Sequence, residues 1–256
     1  MIDKIITIAK EAGEVLREGF NQNFKIEFKT NEANLVTEYD KKSEDLIIDF
    51  INKEFPAHSV LAEESGASPK NSEYTWIIDP LDGTTNFAHG LPIFSVSIGL
   101  TKNKEIIAGA VYDVMYDKLY SAEKGSGAFC NGKKINVSKN DILGRSVLVT
   151  GFPYDIGEKP GKNFEIFTQF TKKTRAVRRL GSAAIDLCYV ASGVFDAFWE
   201  GDLNAWDMCA GAILVEEAGG KVSNYKGEPI DIFNKQILAS NGVIENRMIE
   251  VIKKCM

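Results

Sequence analysis

Asp79-Pro80-Leu81-Asp82-Gly83-Thr84 concentrates the chemistry of this chain. Two carboxylates three positions apart follow an apolar run, Tyr74-Thr75-Trp76-Ile77-Ile78, that reads as a buried strand. Hard oxygen ligands suit Mg²⁺. Pro80 holds the turn and biases Asp79 toward an extended backbone. Gly83 admits a positive φ or a close approach by a ligand. With the Thr84 hydroxyl, the set suits metal-assisted phosphoryl chemistry. A plain turn between two strands has the same composition, so the hexapeptide alone does not decide.

Two more acids stand at the ends of expected elements. Glu63 follows a short strand-like run, Ser59 to Ala62. Asp207 lies at the start of an apolar helix, Trp206 to Ala218, stopped by Gly219-Gly220. Singly, Glu63 also reads as a loop acid, and Asp207 as a helix N-terminal acid favoured by the macrodipole. Brought together, Glu63, Asp79, Asp82 and Asp207 would repel one another, and a divalent cation relieves that repulsion. Two cations roughly 3.5–4 Å apart would clamp the attacking and leaving oxygens of an in-line displacement. Backbone N–H groups at Gly83, Thr84 and Thr85, leading into a helical turn, suit a phosphate. Thr84 can hydrogen-bond an attacking water, and Asp40 can orient its hydroxyl. No histidine or cysteine stands within the hexapeptide or among the four acids, which disfavours a phosphohistidine or phosphocysteine intermediate. The D-x-D-x-T spacing of an aspartyl-phosphate route is also missing.

These residues need a scaffold, and the chain has the length for one: 256 residues, 44% hydrophobic and 26% charged, suit a buried core. A net charge of −6 argues against nucleic-acid binding through a broad basic surface. Lys172, Lys173, Arg175, Arg178 and Arg179 form the one basic cluster, read as a solvated edge. Four scattered cysteines and two histidines give no zinc spacing and fit reduced thiols in a cytosol. The amphipathic N-terminus reads as a helix rather than a signal peptide, and no run approaches the roughly 20 apolar residues of a membrane span.

Periodicity predicts helices over 3–20, 163–171, 181–191, 206–218 and 245–254, and one ending before Pro56 that Asp40 would cap. Strands are expected over 59–62, 94–100, 106–114, 118–122, 146–150, 195–200 and 237–240. Asn131-Gly132 signals a hairpin joining Ala128-Phe129-Cys130 to Ile135–Val137. The strand-rich pattern changes after residue 142. This predicts an α+β fold of layered halves, 1–142 carrying most of the acids and 143–256 carrying Asp207.

Three segments carry a resemblance over nearly the whole chain. Leu61-Ala62-Glu63-Glu64-Ser65, the run from Trp76 through Asp79 and Asp82 to Phe87, and the run from Trp206-Asp207 to Gly219-Gly220 resemble the inositol monophosphatase family. The resemblance implies a layered αβαβα sandwich of the sugar-phosphatase type. It implies roughly two or three Mg²⁺ ions held by Glu63, Asp79, Asp82, the Leu81 carbonyl and Asp207. It implies that Thr84 and Glu63 position and activate the water, with Asp82, Gly83, Thr84 and Asp207 against the phosphate. Gly181-Ser182-Ala183 resembles the family's substrate wall, and Glu200 its polyol-binding acid. Lys29 and Asp40 fall where the family has a mobile loop near a third, weaker metal. Asn34 and Asn204 depart from acids and a histidine found in some members.

The reaction expected is Mg²⁺-dependent hydrolysis of a phosphate monoester, foremost myo-inositol monophosphate, by direct attack of water. Lithium sensitivity, a cytoplasmic homodimer and a small-molecule substrate are implied alongside, with neither nucleic acid nor membrane as partner. Fructose-1,6-bisphosphatase or dual sugar-phosphatase activity is the sibling alternative. Hydrolysis of 3′-phosphoadenosine or histidinol phosphates fits the Thr84-Thr85-Asn86-Phe87 segment less well. A catalytically silent regulatory or RNA-associated relative is the alternative of another class.

Overall fold

Apolar residues at helical spacing form α1 (Ile2–Gly19), which buries Ile5, Ile8, Ala9, Ala12 and Leu16 along one face. A hairpin of β1 (Ile26–Phe28) and β2 (Leu35–Thr37) leads into α2 (Glu38–Glu54). The cap of α2 differs from the expectation. Thr37 is the N-cap, and Asp40, at the third helical position, takes the Thr37 N–H at 2.8 Å to close a capping box. The computed structural model describes residues 1–29, 34–153 and 162–256. Thr30 to Ala33, read from sequence as part of a loop, lie outside the described residues.

The strand-rich middle makes one sheet from β3 (Ser59–Ala62), β4 (Gly66–Ser68), β5 (Tyr74–Asp82), β6 (Ser95–Lys102), β7 (Glu105–Asp113), β8 (Lys118–Glu123), β9 (Gly127–Cys130) and β10 (Lys133–Lys134). The order is β10-β9-β8-β7-β6-β5-β3-β4. Within this sheet only β3 and β5 pair in parallel. The turn at Asn131-Gly132 joins β9 to β10 (Lys133–Lys134), and the Ile135 N–H still bonds the Ala128 carbonyl, but the expected strand does not continue: the Val137 N–H bonds the Ala218 carbonyl instead. Helix α3 (Thr84–Ala88) bridges β5 and β6.

A second sheet follows: β11 (Val147–Thr150), α4 (Asn163–Lys173), β12 (Ala176–Arg178), α5 (Ala183–Ala191), β13 (Ala197–Gly201), α6 (Ala205–Glu217), β14 (Lys221–Ser223), β15 (Gln236–Ser240) and α7 (Glu245–Lys253). Its strand order is β12-β11-β13-β15-β14, with β11 parallel to both neighbours. Strands β1, β2, β4 and β14 went unpredicted, because three residues are too few for a period to show.

Side-chain alternation sets the layers. On β5, Trp76 and Ile78 join the core with α1 and α2, while Ile77 joins the core with α5 and α6. On β13, Phe198 faces α5 and α6, while Ala197 and Trp199 pack with α4 and α7. The layers therefore run α-β-α-β-α, and α5 and α6 form the middle one.

Candidate active site

An irregularity at the end of β5 puts two acids on one face. Residues three apart on a regular strand point to opposite faces. Asp79 pairs with Ser97 and Asp82 with Ser95, so three steps on β5 match two on β6, and the extra residue is a bulge. Pro80 has no N–H to lose from the ladder, and its carbonyl accepts the Ser43 hydroxyl of α2 at 2.9 Å. The Leu81 N–H donates to Asp79 Oδ1 at 3.0 Å.

Helix α6 brings the third acid. It lies against β6 and β7 because Gly99 and Gly109 leave room: a Cβ on Gly109 would stand 2.8 Å from the Ala210 Cα. Asp207, in the first turn of α6, accepts the Asn204 N–H at 2.6 Å. Carboxylate oxygens of Asp79, Asp82 and Asp207 lie within 4.8 Å of one another.

Helix α5 braces the middle of this group. Ser182 Oγ donates to Asp82 Oδ2 at 2.5 Å, and the Ala184 N–H to the same oxygen at 2.8 Å. The Ala183 N–H reaches Asp82 Oδ1 at 3.2 Å. Ser182 and Ala183, taken from the sequence as substrate wall, thus hold Asp82, while all of Gly181-Ser182-Ala183 lines the cavity. Gly181 (φ +88°) lies beside Asn86, whose amide bonds the Leu180 carbonyl at 2.8 Å. Gly83 (φ +98°) caps α3, and a Cβ there would stand 3.0 Å from the Ile93 carbonyl oxygen. No side chain fits either position easily.

Thr84 and Asp40 meet as expected. Thr84 Oγ1 lies 3.0 Å from Asp40 Oδ1 and 3.1 Å from the Leu81 carbonyl oxygen, both acceptors. Asp40 Oδ2 also accepts the Thr37 hydroxyl at 2.6 Å. Glu63 stands beside the three-acid group rather than within it. Lys29 Nζ lies 2.8 Å from Glu63 Oε1 and 2.5 Å from Glu64 Oε1. Buried Glu44 on α2 fixes this turn by accepting the Glu64 and Ser65 N–H groups.

Glu63, Asp79, Leu81, Asp82, Thr84 and Asp207 line one cavity of about 930 Å³, together with Glu200, Asn34 and Asn204, while buried Asp40, expected from the sequence to be catalytic, reaches it only through Thr84. The sequence reading missed Arg179, Asp186, Phe152 and Lys235, which also line it. Arg179 belongs to the basic cluster read as a solvated edge; it remains exposed but stands at the cavity wall. For Asp186 a signal existed, a lone acid inside the apolar run Ala183-Ala184-Ile185-Asp186-Leu187-Cys188. A Cβ on Gly151 would collide with the Glu200 carboxylate, so a larger residue there would displace Glu200.

The electrostatics are those of crowded, desolvated acids. Burial pushes Asp79 well above its ordinary range, and Glu63, Asp82 and Asp207 add to it by charge. Burial and Glu63 push Asp207 the same way, opposed by the Asn204 N–H. Asp82 rises to about 6 through burial, opposed by the bonds from Ser182, Ala184 and Ala183. Asp40 also rises to about 6, burial outweighing its bonds to Thr37. Hard oxygen donors held close together, with charge left uncompensated, fit a divalent cation.

The chain matches the model of the inositol monophosphatase family over residues 1–256. An Aquifex aeolicus protein named fructose-1,6-bisphosphatase/inositol-1-monophosphatase is 42% identical, over 100% of this chain and 97% of its own. The solved inositol monophosphatase from Anabaena superposes with a TM-score of 0.90 at 43% identity, covering 99% and 95% of the two chains. The extragenic suppressor protein suhB from Bartonella henselae gives 0.94 at 38% identity, covering 99% and 98%. With three acids converging at a bulged strand end and all five layers accounted for, the chain belongs to the inositol monophosphatase family.

Proposed function

We propose that the chain is a Mg²⁺-dependent phosphomonoesterase that releases inorganic phosphate from a polyol phosphate, foremost myo-inositol monophosphate. The observation that carries this is the convergence of Asp79, Asp82 and Asp207 beside the Thr84–Asp40 pair. In this reading Glu63, Asp79, Asp82, Asp207 and the Leu81 carbonyl hold the Mg²⁺ ions. Bound there, Mg²⁺ supplies charge neutralisation and Lewis acidity toward phosphoryl oxygens and water.

The chain's own groups do the rest. Thr84 has one proton and two acceptors for it, Asp40 and the Leu81 carbonyl. Its oxygen therefore presents lone pairs and accepts a hydrogen bond from the attacking water. Glu63 takes a proton from that water. Gly83 and Thr84 lie against the phosphate, and Glu200 with the Gly181 segment faces the alcohol. Residues 1–142 and 143–256 act as halves that meet at the cavity. A cytoplasmic homodimer remains part of the proposal; among the described residues no helix is long and apolar enough to cross a membrane.

A second reading, dual activity on fructose 1,6-bisphosphate, is favoured by two cations, Arg179 and Lys235, on the cavity wall. They suit a second phosphate, and the Aquifex relative carries both activities in its name. Phosphate release with and without Mg²⁺ tests both readings, using inositol 1-phosphate, fructose 1,6-bisphosphate, glucitol 6-phosphate and 3′-phosphoadenosine 5′-phosphate. Mg²⁺-dependent release from inositol 1-phosphate is expected. Release from none of them at any Mg²⁺ level would overturn the proposal and favour a regulatory relative.

A further inference from the structure

We propose that Asp186 is a specificity-determining residue that exchanges a hydrogen bond with a hydroxyl of the departing polyol, in the cavity region it shares with Glu200. This rests on the phosphomonoesterase reading.

Asp186 lies in the first turn of α5 and is 1% exposed. It lines the cavity, yet its Oδ1 has no hydrogen-bond partner among the described residues. It does not serve as a helix cap. The amides it would serve are committed elsewhere: Ala183 and Ala184 to Asp82, and Ile185 to Ser182 Oγ. Its own N–H bonds the Ser182 carbonyl. An unpaired buried acceptor costs stability, so a role in packing does not explain it.

The surroundings narrow the ligand. Glu200 and Asp82 are the acids that act on Asp186, and Arg179 is the cation. Two carboxylates disfavour a phosphate oxygen at this spot. Asp186 is also absent from the three-acid group that can hold a metal. A neutral, hydroxyl-rich alcohol remains. Its hydroxyls both donate and accept, so the pairing holds whichever protonation state Asp186 adopts. An alcohol without hydroxyls leaves Oδ1 unpaired, and sites built around such a bond reject analogues that lack it.

The test uses Asp186→Leu, which keeps the branched outline, removes the polar atoms and adds some bulk, with Asp186→Ala carrying the same prediction should the first not fold. Kinetics with Mg²⁺ are compared for inositol 1-phosphate and p-nitrophenyl phosphate, an ester with no polyol. The expected result is a fall of about ten-fold or more in kcat/KM for inositol 1-phosphate, mainly through KM. The ratio of the two esters' kcat/KM values should fall with it. Asp186→Asn, which can still donate and accept, should recover most of that ratio. Equal losses on both esters, a polyol ester unchanged within about two-fold, or a raised Mg²⁺ requirement would each overturn the assignment to the polyol. Wild-type protein that cleaves neither ester would instead refute the phosphomonoesterase reading, and this inference with it.

Discussion

The two faces of the eight-stranded sheet are built from different materials. On the face covered by α1 and α2, large side chains meet large side chains: Ile5, Ile8, Leu16, Ile47 and Ile51 against Trp76, Ile78, Ile98 and Tyr112. On the face covered by α5 and α6, larger residues such as Leu187, Met208 and Ile213 are joined by small contacts at the closest approach, Ala210 over Gly109 and Cys209 over Gly99. Large residues hold helices away from a sheet and bury much area. Small residues let a helix backbone approach it. The second arrangement brings the first turns of both helices to the end of β5, where Asp79 and Asp82 emerge. The second face sets the positions of Asp82 and Asp207, while α2 on the first face adds Asp40 beside Thr84 and otherwise packs the core.

That contrast can be broken from either side. The largest effect is expected at Asp82, which three donors from α5 hold in place. Asp82→Asn should lower turnover of inositol 1-phosphate on the order of 10³-fold or more with an unchanged circular dichroism spectrum. Near-normal turnover would sink the site assignment. Next is Gly109→Val, which drives a side chain into Ala210 and displaces α6 with Asp207. Overpacking of this kind should cost about 1–3 kcal/mol in denaturant melts and lower phosphate release as well. On the other face, Ile47→Val should cost about 0.5–1.5 kcal/mol and leave turnover within about two-fold. If Ile47→Val proved as harmful to turnover as Gly109→Val, the division between the faces would be wrong.

A smaller effect follows from pH. Asp40 and Asp82 have an ordinary value of 3.8 and rise to about 6 in the fold, chiefly through burial. The folded state therefore holds these protons more tightly than the unfolded chain. Their contribution to stability is fully present below the ordinary value and is lost as pH rises through about 6. The melting temperature of metal-free protein should thus fall between about pH 4 and pH 7. Saturating Mg²⁺ should raise it more at pH 7 than at pH 4, which thermal scans at the two pH values would read out.

Much of this was legible in the chain. The strand leading to Asp79, the α5 and α6 segments and the hexapeptide itself announce their places through periodicity and turn chemistry. The bulge that turns Asp82 onto the same face as Asp79 did not, because it depends on the register of β6. Thr37 as the cap of α2 was hidden by Asp40, since both residue types favour helix starts. The commitment of Ser182 to Asp82 joins residues 100 apart in sequence, and no local pattern encodes such a contact. Arg179 could not be separated from its basic neighbours without the course of β12 and the start of α5.

Acids carried by β5 and by α6 converge on one candidate cation site. Calorimetric titration of Mg²⁺ at pH 7 into wild-type protein and into Asp207→Asn tests it most directly. Saturable binding to the wild type, weakened about ten-fold or more by removing the one acid that α6 contributes, is the result expected. Identical Mg²⁺ binding by the two proteins, or none by the wild type, would contradict it.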